Sequence, residues 1–256
     1  MKFCGITMLG LASMIVAKAE IHTEMVVYKQ GDTALEGFLA YDASTKDKRP
    51  GVLVVHQWKG LSDYEKKRAE MLAKLGYVAF AVDIYGKGIR PADNQAAAAE
   101  AGKYKSDRAL LRARAQAGLA ELQKQRLTDP KRIAAIGYCF GGTTVIELAR
   151  SGADIAGVVS FHGALDSPKP EDGKKIKCKV LALHGADDPF VPAKDVAAFE
   201  DEMRQAKVDW QLVKYGGAVH SFTDWGAKME GAAYNEKADK RSWEEMKRFF
   251  GEIFGK

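Results

Sequence analysis

The pattern of apolar and polar positions along this chain predicts its strands and helices. Continuous apolar runs fall at 51–56, 77–82, 133–138, 155–160 and 179–183, and such runs are typical of strands covered by helices on both faces. Between them lie stretches of helical composition, the longest from 93 to about 126 with a break near 103–106. This alternation predicts a mostly parallel central sheet with right-handed crossovers, flanked by helices.

The two ends of the chain differ from its middle. Segments 25–28 and 35–41 are rich in β-forming residues and flank Gln30-Gly31-Asp32, which predicts an N-terminal antiparallel hairpin of edge strands. Ser-Asp-Tyr-Glu at 62–65 is a capping box that opens a helix ending near Leu75. Segment 209–215 alternates as a last strand, and 235–254 spaces its large apolar residues three or four apart, as in an amphipathic closing helix.

The first residues have the composition of a targeting segment. A basic start at Lys2 precedes an apolar stretch from Phe3 to Ala17, and Ala17-Lys18-Ala19 fits a small-x-small cleavage site. An uncleaved anchor is the alternative, but the apolar stretch is short for a bilayer span. We therefore expect a signal peptide at 1–19, cleavage after Ala19, and a periplasmic or secreted single domain at 20–256 that makes no membrane contact.

Composition and charge argue against several classes of function. The formal net charge is +5, but the basic residues are spread among acids, so no nucleic-acid partner is expected. The sequence has neither a histidine pair nor a Cys-x-x-Cys at metal-ligand spacing, and no Gly-x-Gly-x-x-Gly turn after its first buried strand. No metal and no other cofactor is expected, and the protein should be a monomer or a small homo-oligomer.

Cys139 stands in a Gly-x-Cys-x-Gly turn between a predicted strand and a predicted helix. Gly137 and Gly141 allow the strand and helix to pack closely, and a strained turn of this kind holds a nucleophile above the sheet edge. The helix that follows points its free N–H groups and positive dipole end at the sulfur, which favours the thiolate. The competing interpretation is a buried, inert cysteine, which is what we expect for Cys178.

A cysteine nucleophile requires a base and an orienting acid. His220 lies in the glycine-rich loop 216–222 after the last predicted strand, and Asp187 and Asp188 follow the strand before it. The order Cys139, acid, His220 is that of α/β-hydrolase triads. Three other histidines end predicted strands and are expected to be structural, namely His56, His162 and His184.

Three motifs in this order resemble the dienelactone hydrolase family of the α/β-hydrolase superfamily. They are Gly-Tyr-Cys-Phe-Gly-Gly, Asp-Asp-Pro-Phe-Val-Pro and Gly-Ala-Val-His-Ser-Phe, preceded by Val-Val-His-Gln-Trp at 54–58. The resemblance implies the α/β-hydrolase fold and a catalytic triad of Cys139, His220 and Asp188, rather than Asp187. It also implies an oxyanion hole formed by the backbone N–H groups of Phe140 and Trp58.

Two positions depart from the family pattern. Gln57 stands where the family has a glutamate that interacts with the resting cysteine, and Asp224 stands where an arginine helps to hold a substrate carboxylate. Aromatic residues after several strands could line a pocket, and basic residues near them offer charge for an acidic group. The expected substrate-binding residues are Gln57, Tyr85, Lys87, Arg90, Phe222 and Trp225, with Trp58 and Lys59 beside them.

The resemblance implies hydrolysis of activated carboxylic esters or lactones through an acyl-thioester intermediate. Because a thiolate leaves a tetrahedral intermediate readily, enol lactones, aryl esters and thioesters are expected substrates and amides are not. The nearest alternative is a broad-specificity exported carboxylesterase. A non-catalytic binding protein on the same fold is another, and a third is a cysteine-elbow fold of the glyoxalase or peptidase-like kind, which usually places its histidine close after the cysteine.

Overall fold

The computed structural model describes residues 19–255. Eight of its strands form one sheet: β1 Ile21–Gln30, β2 Thr33–Asp42, β3 Arg49–Val55, β4 Val78–Val82, β5 Thr128–Tyr138, β6 Gly157–Phe161, β7 Lys179–Gly185 and β8 Trp210–Tyr215. Their order in the sheet is β1-β2-β4-β3-β5-β6-β7-β8. β4, β3 and β5 to β8 are parallel, as the alternating sequence pattern predicts, and β1 and β2 form the predicted antiparallel hairpin.

Helices cover both faces of the sheet. They are α1 Asp63–Lys74, α2 Asn94–Ser106, α3 Arg108–Lys124, α4 Phe140–Arg150, α5 Ala193–Ala206 and α6 Glu236–Phe254. One apolar core packs α2 to α5 against the sheet, and a second packs α1 and α6 against its other face. The side chains of β3, β4 and β6, those of β5 from Ile133 onwards and those of β7 after Lys179 are therefore buried on both faces, which explains the continuous apolar runs.

The hairpin differs from the prediction in one respect. Of its two strands only β1 is at an edge of the sheet, because β2 pairs antiparallel with β4 as well as with β1. The burial of the two strands reflects this difference, since Leu35 and Leu39 of β2 are buried whereas Met25 and Val27 of β1 are exposed. The expectation of two edge strands was wrong because β4, which lies far from the hairpin in the sequence, pairs with the side of β2 that β1 leaves free.

Local sequence signals position the helices. The capping box at α1 is formed, with Ser62 Oγ accepting from the Tyr64 N–H and Glu65 Oε2 accepting from the Ser62 N–H at 2.9 Å. The predicted break in the long helical stretch lies at Asp107, which ends α2 and caps α3 by accepting from the Leu110 N–H at 2.9 Å. The sequence did not predict a 3-10 helix at Pro170–Lys175 or the short strands β9 Lys228–Met229 and β10 Ala232–Ala233.

The expected signal peptide lies outside the described residues, apart from Ala19. Along the described part of the chain, no helix is both long enough and apolar enough to cross a bilayer.

Candidate active site

Cys139 occupies the tight turn between β5 and α4. Its backbone has φ of 54°, in the left-handed region that non-glycine residues rarely adopt. The flanking glycines leave no room for a side chain, because a Cβ on Gly137 would lie 2.0 Å from the Gly141 carbonyl oxygen, and one on Gly141 would lie 2.2 Å from the Val55 carbonyl oxygen. The turn is therefore strained and depends on both glycines, as a nucleophile elbow does.

The structure brings Cys139, His220 and Asp188 together. His220 Nε2 lies 3.1 Å from Cys139 Sγ, and His220 Nδ1 lies 2.7 Å from Asp188 Oδ2. The Asp188 side chain is buried, and its other oxygen accepts from the Phe190 N–H at 2.8 Å. An imidazole held between a sulfur and a buried carboxylate can take a proton from the sulfur and remain stabilised as the cation.

The electrostatics of the site favour a thiolate and an imidazolium. Burial opposes ionisation of Cys139, but the charge and hydrogen bond of His220, the charge of Lys105 and the Phe140 N–H outweigh it and lower the pKa of the thiol. Burial also disfavours the His220 cation, but its interactions with Cys139 and Asp188 raise the pKa of His220 to about 10. Each group thus stabilises the charged form of the other.

The loop that carries His220 is fixed at several points. The His220 N–H donates to the Gly231 carbonyl and the Ala233 N–H donates to the His220 carbonyl, each at 3.0 Å, so the loop is paired with the segment that contains β10. Asp187 accepts from the Gly217 N–H at 2.8 Å and shapes the same loop. The two adjacent acids therefore have different positions, and only Asp188 contacts the imidazole.

Phe140 and Trp58, the expected oxyanion-hole residues, line one cavity with Cys139. Phe140 is the first residue of α4, where backbone N–H groups have no partner within the helix. The carbonyl of Trp58 accepts from the Tyr85 hydroxyl at 2.9 Å. Both backbones are thus held at the carboxyl edge of the sheet.

Buried polar groups also fix the turn before Trp58. Glu65 Oε1 accepts from the Gln57 N–H at 3.1 Å, and the Gln57 carbonyl lies 2.6 Å from His56 Nδ1. His56 Nε2 accepts from the Ile84 N–H at 3.1 Å, so Nδ1 carries the proton and donates it to Gln57. Burial lowers the pKa of His56 to about 4, which keeps this tautomer neutral. His56 therefore has the structural role expected from the sequence.

Gln57 and Asp224 occupy neighbouring positions in the site. Gln57 Nε2 donates to Asp224 Oδ2 at 3.0 Å, and Asp224 Oδ1 accepts from the Gly226 N–H at 2.9 Å. The carboxylate of Asp224 thus has a partner on each oxygen. The two positions that depart from the family pattern form one interacting pair.

A cavity of about 740 Å³ opens above Cys139. One wall is a face of α2 made of Asn94, Ala98, Ala101, Gly102 and Lys105, and the rim includes the exposed side chains of Phe190 and Met229. Cations at the cavity come from Lys59, Lys105 and Lys228, for which no carboxylate partner is found within residues 19–255. Both carboxylates in its lining, Glu65 and Asp224, are hydrogen-bonded through both oxygens.

Five of the expected substrate-binding residues do not line this cavity. Tyr85 and Phe222 are buried in the apolar cores, and Lys87 pairs with Glu36 at 3.0 Å. Arg90 donates to backbone carbonyls, including that of Leu61 at 2.7 Å, and Trp225 donates to Asp239 at 3.2 Å. Of the expected set, the structure places Gln57 at the cavity, together with Trp58 and Lys59.

No sequence motif marks the wall of the cavity that α2 forms. Its lining residues are four, seven, eight and eleven positions after Asn94, which is the spacing of one helical face. The small residues there carry no chemical signal, and nothing local shows which face of an alanine-rich helix turns towards Cys139. Within residues 19–255, no group of three or more His, Cys, Asp or Glu side chains could hold a metal ion.

The parallel sheet and the elbow at its carboxyl edge define an α/β-hydrolase fold. The sequence profile of the dienelactone hydrolase family matches residues 35–254. The chain belongs to this family and is a hydrolase.

Solved structures and a curated relative are similar over most of the chain. A structure named m3DLH is 42% identical, covers 91% of this chain and 98% of its own, and superimposes with a TM-score of 0.89. A dienelactone hydrolase-like promiscuous phosphotriesterase, P91, from metagenomic libraries is 41% identical, with coverage of 92% and 99% and a TM-score of 0.89. A Bradyrhizobium protein named "Probable 2-oxo-3-(5-oxofuran-2-ylidene)propanoate lactonase" is 30% identical over 68% of this chain and 73% of its own.

Proposed function

We propose that this hydrolase cleaves activated carboxylic esters or lactones through a thioester with Cys139. The observation that carries the proposal is the contact of His220 with Cys139 Sγ at 3.1 Å and with Asp188 at 2.7 Å, at a strained turn on the edge of the sheet. Each of the three groups has a partner suited to its role in acyl transfer. The family membership of the chain supports the same class of reaction.

In the proposed mechanism, the Cys139 thiolate attacks the carbonyl carbon and forms a C–S bond. The carbonyl π electrons move onto oxygen, and the backbone N–H groups of Phe140 and Trp58 stabilise that oxyanion. When it collapses, the C–O bond to the leaving group breaks and the leaving oxygen takes the proton held by His220. Water, deprotonated by His220, then attacks the thioester, which releases the acid and restores the thiol.

Sulfur limits the substrates of this mechanism. The tetrahedral intermediate expels whichever group leaves more readily, so it returns to reactants unless the other group is at least as good as a thiolate. Enol lactones, aryl esters and thioesters meet this condition, whereas amides do not. A broad-specificity carboxylesterase would share the mechanism and differ only in accepting many such esters.

The cavity indicates which activated esters fit. Its volume of about 740 Å³ lies within the range of about 300–1,000 Å³ that holds a drug-sized molecule. The small side chains of Ala98 and Gly102 leave space for an apolar chain along α2, and Lys105 at the end of this face offers charge to an acidic group. We propose esters that join a bulky apolar part to an anionic group.

The decisive test is hydrolysis of a p-nitrophenyl ester by the protein and by Cys139→Ala and His220→Ala. The kcat/KM of both variants should fall about 10³-fold or more, with unchanged circular dichroism, as expected for residues that act as a unit. Trapping of an acyl group on Cys139, detected by mass spectrometry during turnover, would support the thioester. An inert wild type, or variants that equal an active wild type, would favour a binding protein on the hydrolase fold.

Phosphotriester hydrolysis is a second candidate activity. It is suggested by the 41% identity of this chain to a protein described as a promiscuous phosphotriesterase. A neutral phosphotriester with a nitrophenolate leaving group also meets the requirement that the leaving group compete with sulfur. Diethyl p-nitrophenyl phosphate tests it, and nitrophenol release that persists in Cys139→Ala would mean that this reaction uses another nucleophile.

We further propose that the protein is exported and that its signal peptide is cleaved after Ala19. The basic start, apolar stretch and small-x-small site support this proposal. Mass spectrometry of the protein from cell fractions tests it, since a mature chain should begin at Glu20 and appear outside the cytoplasm. A chain that retains Met1 to Ala19 in every fraction would contradict it.

A further inference from the structure

We infer that His162 is a positioning residue that ties the turn carrying Cys139 to the loop carrying His220. The inference rests on the proposed function, because it assigns His162 a part in aligning the nucleophile with its base. It also changes the expectation from the sequence, in which His162 was one of several structural histidines at strand ends.

The backbone places His162 beside the elbow. It follows β6, the neighbour of β5, and its N–H donates to the Leu183 carbonyl at 2.8 Å. Its φ of 41° is in the left-handed region, a conformation that is uncommon and costly for residues other than glycine. Such a conformation is kept only where surrounding contacts stabilise it. The contacts of His162 are with residues of the active site and of the loop that carries His220.

One ring nitrogen of His162 is hydrogen-bonded to the backbone of Cys139, the proposed nucleophile. His162 Nδ1 accepts from the Cys139 N–H at 3.1 Å, and the same N–H lies 3.0 Å from the Phe161 carbonyl oxygen. The Cys139 backbone is itself strained, with φ of 54° and ψ of −115°. The shared hydrogen bond therefore fixes the direction in which the Cys139 side chain leaves the turn.

The other ring nitrogen of His162 is hydrogen-bonded to the loop that carries His220, the proposed base. Because Nδ1 accepts, the proton of the neutral ring is on Nε2, which donates to Thr223 Oγ1 at 2.7 Å. Thr223 lies three residues after His220 in the same loop. One buried ring thus connects the backbone of Cys139 to the side chain of Thr223, in the two segments that must hold sulfur and imidazole 3.1 Å apart.

The charge state of His162 matches this role. Burial lowers the pKa of His162 well below its usual value, and the charges of His220 and Arg68 lower it further. The ring centroids of His162 and His220 are 5.4 Å apart. A neutral His162 can accept from the Cys139 N–H and does not repel a cationic His220.

The connection from Cys139 through His162 to Thr223, called the bridge below, is supported by further contacts of Thr223. The Tyr64 hydroxyl lies 2.7 Å from Thr223 Oγ1, and Arg68 donates to the Thr223 carbonyl at 3.0 Å. Arg68 also pairs with Asp239 of α6 at 2.6 Å, with both side chains buried. Thr223 is therefore fixed against α1 and α6, and His162 connects a rigid support to the elbow.

The test uses p-nitrophenyl ester kinetics of His162→Asn, Thr223→Val, Thr223→Ser and the double variant His162→Asn/Thr223→Val. Asparagine tolerates a positive φ and can still accept from Cys139, but it does not reproduce the histidine bond to Thr223. Valine removes the hydroxyl at nearly constant shape, and serine keeps it. His162→Asn and Thr223→Val should each lower kcat about tenfold with KM within about twofold, because alignment affects the chemical step rather than binding.

Non-additivity separates a bridge from two independent structural effects. The kcat of the double variant should be little lower than that of either single variant, because either substitution alone already breaks the connection. Thr223→Ser should retain the wild-type kcat. Additive losses, a Thr223→Ser variant as slow as Thr223→Val, or unchanged kcat with only a lower melting temperature would overturn the inference.

A second measurement does not require ester hydrolysis. Alkylation of Cys139 by iodoacetamide should be slower in His162→Asn than in the wild type at neutral pH, because a misaligned imidazole stabilises the thiolate less. If the wild type hydrolyses no ester but this difference is found, the proposed function fails and the bridge remains. If the wild type is active and the alkylation rates are equal, the bridge fails and the proposed function remains.

Discussion

Gln57 and Asp224, which are 167 positions apart in the chain, form an amide and carboxylate pair at the cavity, with Nε2 3.0 Å from Oδ2. Because a carboxylate only accepts hydrogen bonds, the amide nitrogen must face Asp224 and the amide oxygen must point elsewhere. The pair fixes the orientation of Gln57, and Asp224 is hydrogen-bonded on both oxygens. A glutamate at position 57 would instead place two carboxylates in contact.

The variant Gln57→Glu tests this relationship. Two facing carboxylates raise the pKa of one of them, so they share a proton in acid and repel each other once both ionise. We expect the kcat/KM of Gln57→Glu to approach the wild-type value in mildly acidic buffer and to fall as the pH rises past the higher pKa of the pair. A pH profile parallel to that of the wild type would contradict this expectation.

The matched control reverses the pair. Gln57→Glu/Asp224→Asn again joins one carboxylate to one amide, with donor and acceptor exchanged, so the pH-dependent loss should disappear. If the double variant keeps the loss, a carboxylate at position 57 harms the site by contact with Cys139 rather than through Asp224.

Lys105 should affect both the thiol and the choice of substrate. Its charge helps to lower the pKa of Cys139, so Lys105→Gln should raise that pKa and slow iodoacetamide alkylation at neutral pH, with the rates converging in alkali, where the thiolate forms in both proteins. The kcat/KM for an anionic ester should fall more than that for a neutral ester of equal size. Lys103→Gln is the control, because Lys103 is on the same helix and pairs with Glu100 at 2.6 Å.

Gly102 should control the size of substrate that the cavity accepts. A Cβ at this position meets no heavy atom within 4 Å, so Gly102→Leu can place its side chain in the cavity without displacing its neighbours. Leucine also improves helix propensity by up to about 1 kcal/mol, so stability should not fall. The kcat/KM for a p-nitrophenyl ester with a long acyl chain should drop about tenfold or more, while that for the acetate stays within about threefold.

The control for Gly102→Leu lies on the same helix. Ala99 is exposed and does not line the cavity, so Ala99→Leu should hydrolyse both esters like the wild type. Equal losses for acetate and long-chain esters in Gly102→Leu would indicate a displaced α2 rather than a filled cavity.

The parts of this molecule that the sequence predicted are those with a local signal. Strand runs, the capping box at Ser62 and the glycines around Cys139 each appear within a few residues, and they position the sheet and the elbow. The contact of Asp188 with His220 followed from the order of motifs and the family resemblance. The local features could be predicted without knowing how distant segments pack, whereas the contact between Asp188 and His220 could be predicted only through the resemblance.

The pocket walls depend instead on packing between segments far apart in the chain. Tyr85 follows a strand at the correct edge, but its ring turns inward and its hydroxyl supports Trp58. His162 and Thr223 are 61 positions apart, and their contact exists only because β6 ends beside the loop of His220. A residue's position after a strand therefore predicts which edge of the sheet it reaches, and its side-chain direction comes from the tertiary structure.

A buried ion cluster beneath the elbow helix should dominate the response of stability to single substitutions. Arg150 of α4 has no exposed side-chain area and contacts Glu147 at 2.9 Å and Glu202 of α5 at 2.6 Å. Burial disfavours the Arg150 cation, but the bonds to these glutamates outweigh it and raise the pKa of Arg150. Removing one partner leaves a buried charge only partly compensated, so Glu202→Gln should lower the free energy of unfolding by about 3–5 kcal/mol.

Urea denaturation at neutral pH measures this loss, and Asp201→Asn is the control. Asp201 pairs with Arg204 at 2.8 Å on the exposed face of the same helix, where an ion pair contributes about 0–1 kcal/mol. A loss for Glu202→Gln no larger than that for Asp201→Asn would mean that Glu147 alone compensates Arg150. Ester hydrolysis well below the unfolding midpoint should be nearly unchanged in Glu202→Gln, because the cluster supports α4 from the end opposite Cys139.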